Sequence, residues 1–146
     1  MGISLVIGPA SDPVSLSEAR DHCRLDNNES DGLLAGYVLA ARRYAEGYTR
    51  RAFVTQTWDA TFDYHWPTVC GQIQIDLPLP PLASVSYVSY VGDIGVTQTL
   101  ASNQYRVLTD GPFGRIVPAQ WVSWPTVRWQ RNAITVRFVA GWDPSA

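Results

Sequence analysis

Lysine is missing from this 146-residue chain: all 11 of its basic residues are arginine. Cysteine and histidine occur twice each, as Cys23, Cys70, His22 and His65. Each scarcity removes a class of protein. Two cysteines at this separation match no zinc or redox spacing, and two in a chain this long make no disulfide scaffold. Free thiols are the expectation. His22 and Cys23 are neighbours in a helical stretch, so they point apart, and neither histidine has a second ligand at metal spacing. No apolar run approaches the ~20 residues that span a bilayer. The opening Met1-Gly2-Ile3-Ser4-Leu5-Val6 lacks the basic residues and long apolar stretch of a signal peptide. The expectation is a soluble protein, made in a cytoplasm, with no membrane partner. A net charge of −2 lacks the basic excess of a general nucleic-acid binder.

Catalytic patterns are equally scarce. No serine sits in a Gly-x-Ser-x-Gly elbow, and no phosphate loop or dinucleotide glycine pattern occurs. Asp59 and Asp63 share a face of one strand, but four strand residues span roughly 13 Å. A glycosidase carboxylate pair needs about 5–10 Å. No enzyme and no cofactor are expected.

What is present is an ordinary apolar fraction, 46%, and a high aromatic one, 12%, with six tryptophans and seven tyrosines. The length suits one compact domain, with an N-terminal arm and helical region over 1–53 and a β-rich region over 54–146. Residues 1–13 read as an extended arm broken by Gly8-Pro9 and Pro13. Ser15 and Glu18 form a capping box that opens a helix running to about Arg24. Asp26-Asn27-Asn28 is turn chemistry. A second helix runs from Ser30 or Asp31 to about Thr49, with Leu34, Tyr37, Val38, Ala41, Tyr44, Ala45 and Tyr48 on one stripe. Leu34, Tyr37, Val38 and Tyr44 are expected to be buried. Gly36 and Gly47 weaken that helix and suit a close backbone approach.

After Phe53 the period becomes two. Trp58, Ala60 and Phe62 mark one strand, and Ile73, Ile75 and Leu77 another. Pro78-Leu79-Pro80-Pro81 reads as a stiff extended connector. Further strands are expected at 84–91, 96–100 (a hairpin through Gly92-Asp93-Ile94-Gly95), 105–108, 115–117 and 133–139. The fold class is α+β: two N-terminal helices followed by a mostly antiparallel β-sheet or small β-sandwich. Trp121, Trp124 and Trp129 fit either core or inter-subunit packing, where tryptophan is enriched, or a stacking platform for sugar or single-stranded nucleic acid.

The order of phrases carries a further signal. Pro13-Val14-Ser15-Leu16-Ser17-Glu18-Ala19 leads to Cys23-Arg24-Leu25-Asp26 and the acidic Asn28-Glu29-Ser30-Asp31. Then come Ala45-Glu46-Gly47-Tyr48-Thr49-Arg50-Arg51-Ala52 and Thr55-Gln56-Thr57-Trp58. Leu77-Pro78-Leu79-Pro80-Pro81-Leu82-Ala83-Ser84-Val85 follows, then Tyr105-Arg106-Val107 and Gly114-Arg115-Ile116-Val117-Pro118. Ser123-Trp124-Pro125 and Ile134-Thr135-Val136-Arg137-Phe138-Val139-Ala140-Gly141-Trp142 close the series. Together they resemble the head–tail connector, or adaptor, family of tailed bacteriophages.

The resemblance implies a non-enzymatic virion protein of the neck, between capsid and tail. It implies a homo-oligomeric ring, of about twelve copies, bound beneath the portal protein, extending the DNA channel and docking a stopper or tail protein. In such a ring each contact joins two different surfaces. Arg42, Arg43, Arg50 and Arg51 then become candidates for the channel, with non-specific DNA contact, or for the subunit interface. Trp142, Asp143 and Pro144 become candidates for the portal-proximal segment. Family members usually continue past the phrase ending at Trp142 into further helices that complete a bundle. Here the apolar stripe of the second helix needs cover from the β part or from a neighbouring subunit. The alternatives are another neck or tail-completion protein, or a Trp-rich carbohydrate- or host-surface-binding module.

Overall fold

The computed structural model describes residues 1–25, 27–28, 30–69 and 71–143. The chain opens on a strand, β1 (Gly2–Ile7), followed by helices α1 (Leu16–Cys23) and α2 (Asp31–Thr49). Strands β2 (Gln56–Phe62), β3 (Thr68–Val69), β4 (Gln72–Ile73), β5 (Ile75–Asp76), β6 (Leu82–Val91) and β7 (Thr97–Thr99) come next. A 3-10 turn, Ser102–Gln104, leads into β8 (Tyr105–Leu108), β9 (Arg115–Pro118) and β10 (Ile134–Ala140).

The α+β class holds, but the element order differs from helices first: the expected arm is a strand. β1 lies antiparallel to β2, with Ile3 opposite Ala60 and Leu5 opposite Trp58. It forms one edge of a five-stranded sheet ordered β1-β2-β10-β6-β7, all neighbours antiparallel. A three-stranded sheet, β5-β9-β8, and the β3–β4 pair complete the architecture.

β10 is the centre. Its alternation places Ile134, Val136 and Phe138 on one face, each with no solvent exposure. That face meets Ala60, Phe62 and Val88 of the same sheet, and Ile75 and Ile116 of the smaller one. Period-two burial of β-branched and aromatic side chains is the device that fixes register here, because a one-residue slip would turn the whole set outward. On the opposite face Arg137 makes a bidentate bond to Asp59, 2.8 Å on both arms. Those hydrogen bonds hold the guanidinium protonated above its ordinary range.

The capping box forms as the sequence predicts. Ser15 Oγ accepts from the Glu18 amide at 3.2 Å, and Glu18 accepts from the Ser15 amide at 2.8 Å. The Ser15 hydroxyl also donates to the Glu18 carboxylate at 2.7 Å, and this bond, with that from the Ser15 amide, lowers the Glu18 pKa below its usual value. Arg24 and Arg50 end the two helices in the left-handed region, at φ 55° and 53°.

Three further expectations are corrected. The Ile73–Leu77 alternation divides between β4 and β5, which pair with different strands, so Ile75 and Leu77 are buried while Ile73 stays half exposed. Pro78–Pro81 is not a straight connector: Leu79 takes φ 62° and the Pro80–Pro81 peptide is cis. Gly36 and Gly47 face open space, with nothing within 4 Å of where a Cβ would stand.

Candidate assembly surfaces

The helix pair is covered on one side only. Ala19 and Leu34 are buried between α1 and α2, and Arg20 pairs with Asp31 at 2.8 Å. Val38 is half-buried, but Tyr37 and Tyr44 are 62% and 77% exposed. The burial expected for those two tyrosines therefore fails within the chain, because no β element reaches that side of α2. Tyr44 and Tyr48 stack on each other at 6.4 Å, one helical turn apart.

The four arginines of α2 and its end split into two kinds. Arg42 is 8% exposed, with its Nε 2.6 Å from Asp12 and its Nη1 2.9 Å from Glu46. Glu46 also accepts from the Phe53 amide at 2.9 Å and from the Gln56 side chain. Arg42 is thus spent on a buried network tying α2 to the start of β2 and to the segment before α1. A buried charge is tolerated only when paired in this way. The signal was present in the sequence as the i,i+4 spacing of Arg42 and Glu46. Arg43, Arg50 and Arg51 are exposed and have no ion pair among the described residues.

Those three arginines line two adjoining clefts under β1. One, of about 660 Å³, lies among Leu5, Leu39, Arg43, Arg51, Trp58 and Leu79. The other, of about 610 Å³, lies among Met1, Ile3, Arg50, Arg51, Pro80 and Phe113. The indole N–H of Trp58, beside the first cleft, is buried with no hydrogen-bond partner among the described residues.

The tryptophans also divide. Trp124 stacks on Trp66 at 4.3 Å and its indole N–H donates to the Ile73 carbonyl. Trp129 stacks on Tyr64 at 3.6 Å yet remains 78% exposed. Trp121 is 95% exposed on a backbone of φ 65°. Near the C-terminal end, the Trp142 carbonyl accepts from both the amide and the hydroxyl of Thr55, at 3.1 and 3.0 Å. Gly141, at φ 105°, allows this approach, since a Cβ there would strike the Val54 carbonyl. Asp143 follows among the described residues, and Pro144 lies outside them.

Asp59 is held by Arg137, and Asp63 accepts from the Asn132 amide. Among the described residues, no three His, Cys, Asp or Glu side chains are placed to hold a metal. No described helix is long and apolar enough to cross a membrane. Cys23 is an exposed free thiol, and Cys70 lies outside the described residues.

The fold has close structural relatives. A chain from the neck of an empty gene transfer agent particle, computed with C6 symmetry, superposes with a TM-score of 0.80 at 24% identity. The match covers 99% of this chain and 73% of that one. A chain from the neck of a native gene transfer agent particle, computed with C12 symmetry, gives a TM-score of 0.74 at the same identity, covering 99% and 71%. At this identity the likeness is one of fold. No curated protein sequence matches the chain. The sequence itself carries a family signature from the segment before α1 to the proline connector. Residues 13–79 match the model of the phage gp6-like head-tail connector protein family.

Proposed function

We propose that this protein is a neck component of a tailed phage or gene transfer agent particle, forming a ring beneath the portal that extends the DNA channel and docks the tail. The observation that carries this reading is the conjunction of a connector signature over residues 13–79 with a fold shared, over 99% of the chain, with chains of particle necks. The symmetry of those necks, C6 and C12, supports a ring of about twelve copies. The subunit's own surface supports assembly. It exposes Tyr37, Tyr44, Tyr48, Trp121 and Trp129, and aromatic residues are enriched at the anchors of protein interfaces.

Deletion of the gene, followed by electron microscopy of the particles released, tests the reading. The expected result is separated capsids and tails, with heads that leak DNA. A second reading rests on the open faces of Trp121 and Trp129: a carbohydrate- or host-surface-binding module. Intact tailed particles that fail only to adsorb would select that reading and overturn the neck assignment.

A further inference from the structure

The two edges of the five-stranded sheet are built differently. β1 is six residues, Gly-Ile-Ser-Leu-Val-Ile, exposed throughout, with no charge and no proline. An edge of this kind invites strand pairing unless it is covered. A register shift between Leu5 and Ile7 interrupts only its far end. β7, at the opposite edge, is three polar residues, Thr97–Thr99. It is preceded by a projecting turn in which Ile94 is 81% and Val96 53% exposed. Asp93 in that turn has no ion pair among the described residues.

Five antiparallel strands are an odd number, so β1 and β7 run in the same direction. They stand roughly 19 Å apart, four strand spacings. Register places Gly2 beside Thr61, Phe62 beside Ile134, Ile134 beside Tyr90 and Val91 beside Thr97. The start of β1 and the β6–β7 turn therefore lie at the same end of the sheet. If a second copy continues the sheet past β1, its β7 runs parallel to β1 and its turn arrives at Met1 and Ile3. There the cleft of Ile3, Pro80 and Phe113 opens, and Arg50 and Arg51 stand at it with no ion pair among the described residues. The one carboxylate of that cleft, Glu46, is engaged by Arg42, Gln56 and the Phe53 amide. The cleft is thus apolar and cationic, and the turn offers an exposed isoleucine beside an aspartate.

We infer that the β1 edge and the Ile3–Arg50–Phe113 cleft receive the β6–β7 hairpin of a second copy, Ile94 filling the cleft and Asp93 meeting Arg50 and Arg51. This contact joins unlike surfaces, so each copy keeps one free edge and the series propagates until it closes. It rests on the ring reading above and supplies the contact that reading lacks. DNA is a poorer occupant of this cleft, because its apolar floor and open strand edge match a polypeptide rather than phosphates.

The test is disulfide cross-linking in particles carrying Ile3→Cys and Ile94→Cys together, in a background with Cys23→Ser and Cys70→Ser. The expected result is an oxidised ladder of dimer, trimer and higher multimers of this chain. The chain present in particles without a ladder would overturn the contact and leave the neck reading standing. Purified particles that lack the unaltered chain would overturn the neck reading, and the contact with it. Cross-linked dimers from Ile3→Cys alone would show β1 pairing with β1, which also overturns the contact. Charge reversal gives a check that does not depend on cysteine. Asp93→Arg is expected to lower incorporation of the chain into particles, and Arg50→Asp in the same chain to restore it. Equal incorporation of all these variants would overturn the inference.

Discussion

The strand β10 and the helix α2 are both central to the chain, yet they are finished to different degrees. β10 is paired on both sides, and its inward face is sealed by Ala60, Val88, Ile75 and Ile116. α2 buries Leu34 and Arg42 and leaves three tyrosines and Leu33 in solvent. The sheet carries the stability of the isolated subunit. The helix pair carries surface that no described element of the chain covers. An assembling subunit needs both conditions, because an interface completed within the monomer would offer nothing to the next copy.

The contrast is sharpest for Phe138→Ala. Removing a wholly buried ring from the centre of β10 is expected to cost about 3–5 kcal/mol, read as a large fall in the denaturation midpoint. A loss below 1 kcal/mol would mean that the core is not organised around β10. Arg42→Met comes next, at about 2–3 kcal/mol, because it leaves Asp12 and Glu46 without their cation. Glu46 keeps its bonds from Phe53 and Gln56, which holds the loss under that of the core ring. Arg43→Met is the control, and stability should barely move.

Tyr44→Ser should change subunit stability by less than about 0.5 kcal/mol, since the two residues have similar helix propensity and the ring is exposed. Incorporation into particles is where its loss should register. A monomer as destabilised as by Phe138→Ala would erase the distinction between the two regions. The smallest effect concerns Glu18. Its folded-state pKa is lowered by the bonds from Ser15, so its contribution is complete above its unfolded-state value and fades as pH falls through the lowered one. Glu18→Gln is expected to flatten that acid-side dependence in thermal melts by slightly lowering the neutral-pH melting temperature, while the acid value, where Glu18 is itself protonated, stays nearly unchanged.

Much of this architecture was legible in the sequence because local chemistry dictated it. Ser15 and Glu18 announce the first helix, and the alternation through Ile134, Val136 and Phe138 announces the most buried strand. What sequence periodicity could not provide was partnership. Ile3 and Leu5 read as part of a loose arm because only the distant β2 makes them a strand. Tyr37 and Tyr44 share a stripe with Leu34, so pattern alone assigned them one fate, whereas the topology covers only part of that stripe. Arg42 looked equivalent to Arg43, and the Asp12 carboxylate that separates them lies 30 positions away.

The Glu46 network has a mechanical consequence. Near its C-terminal end α2 is bolted to β2 through Glu46, Gln56 and the Phe53 amide, whereas its start is held by the slender α1. Its 19 residues make a lever roughly 28 Å long at 1.5 Å per residue. From Glu46 to Asp31 the arm is roughly 22 Å, so a tilt of about 5° at the bolt carries the far end about 2 Å. Small adjustments near Glu46 are therefore amplified at the far end of the helix pair, while the sheet behind them keeps its shape.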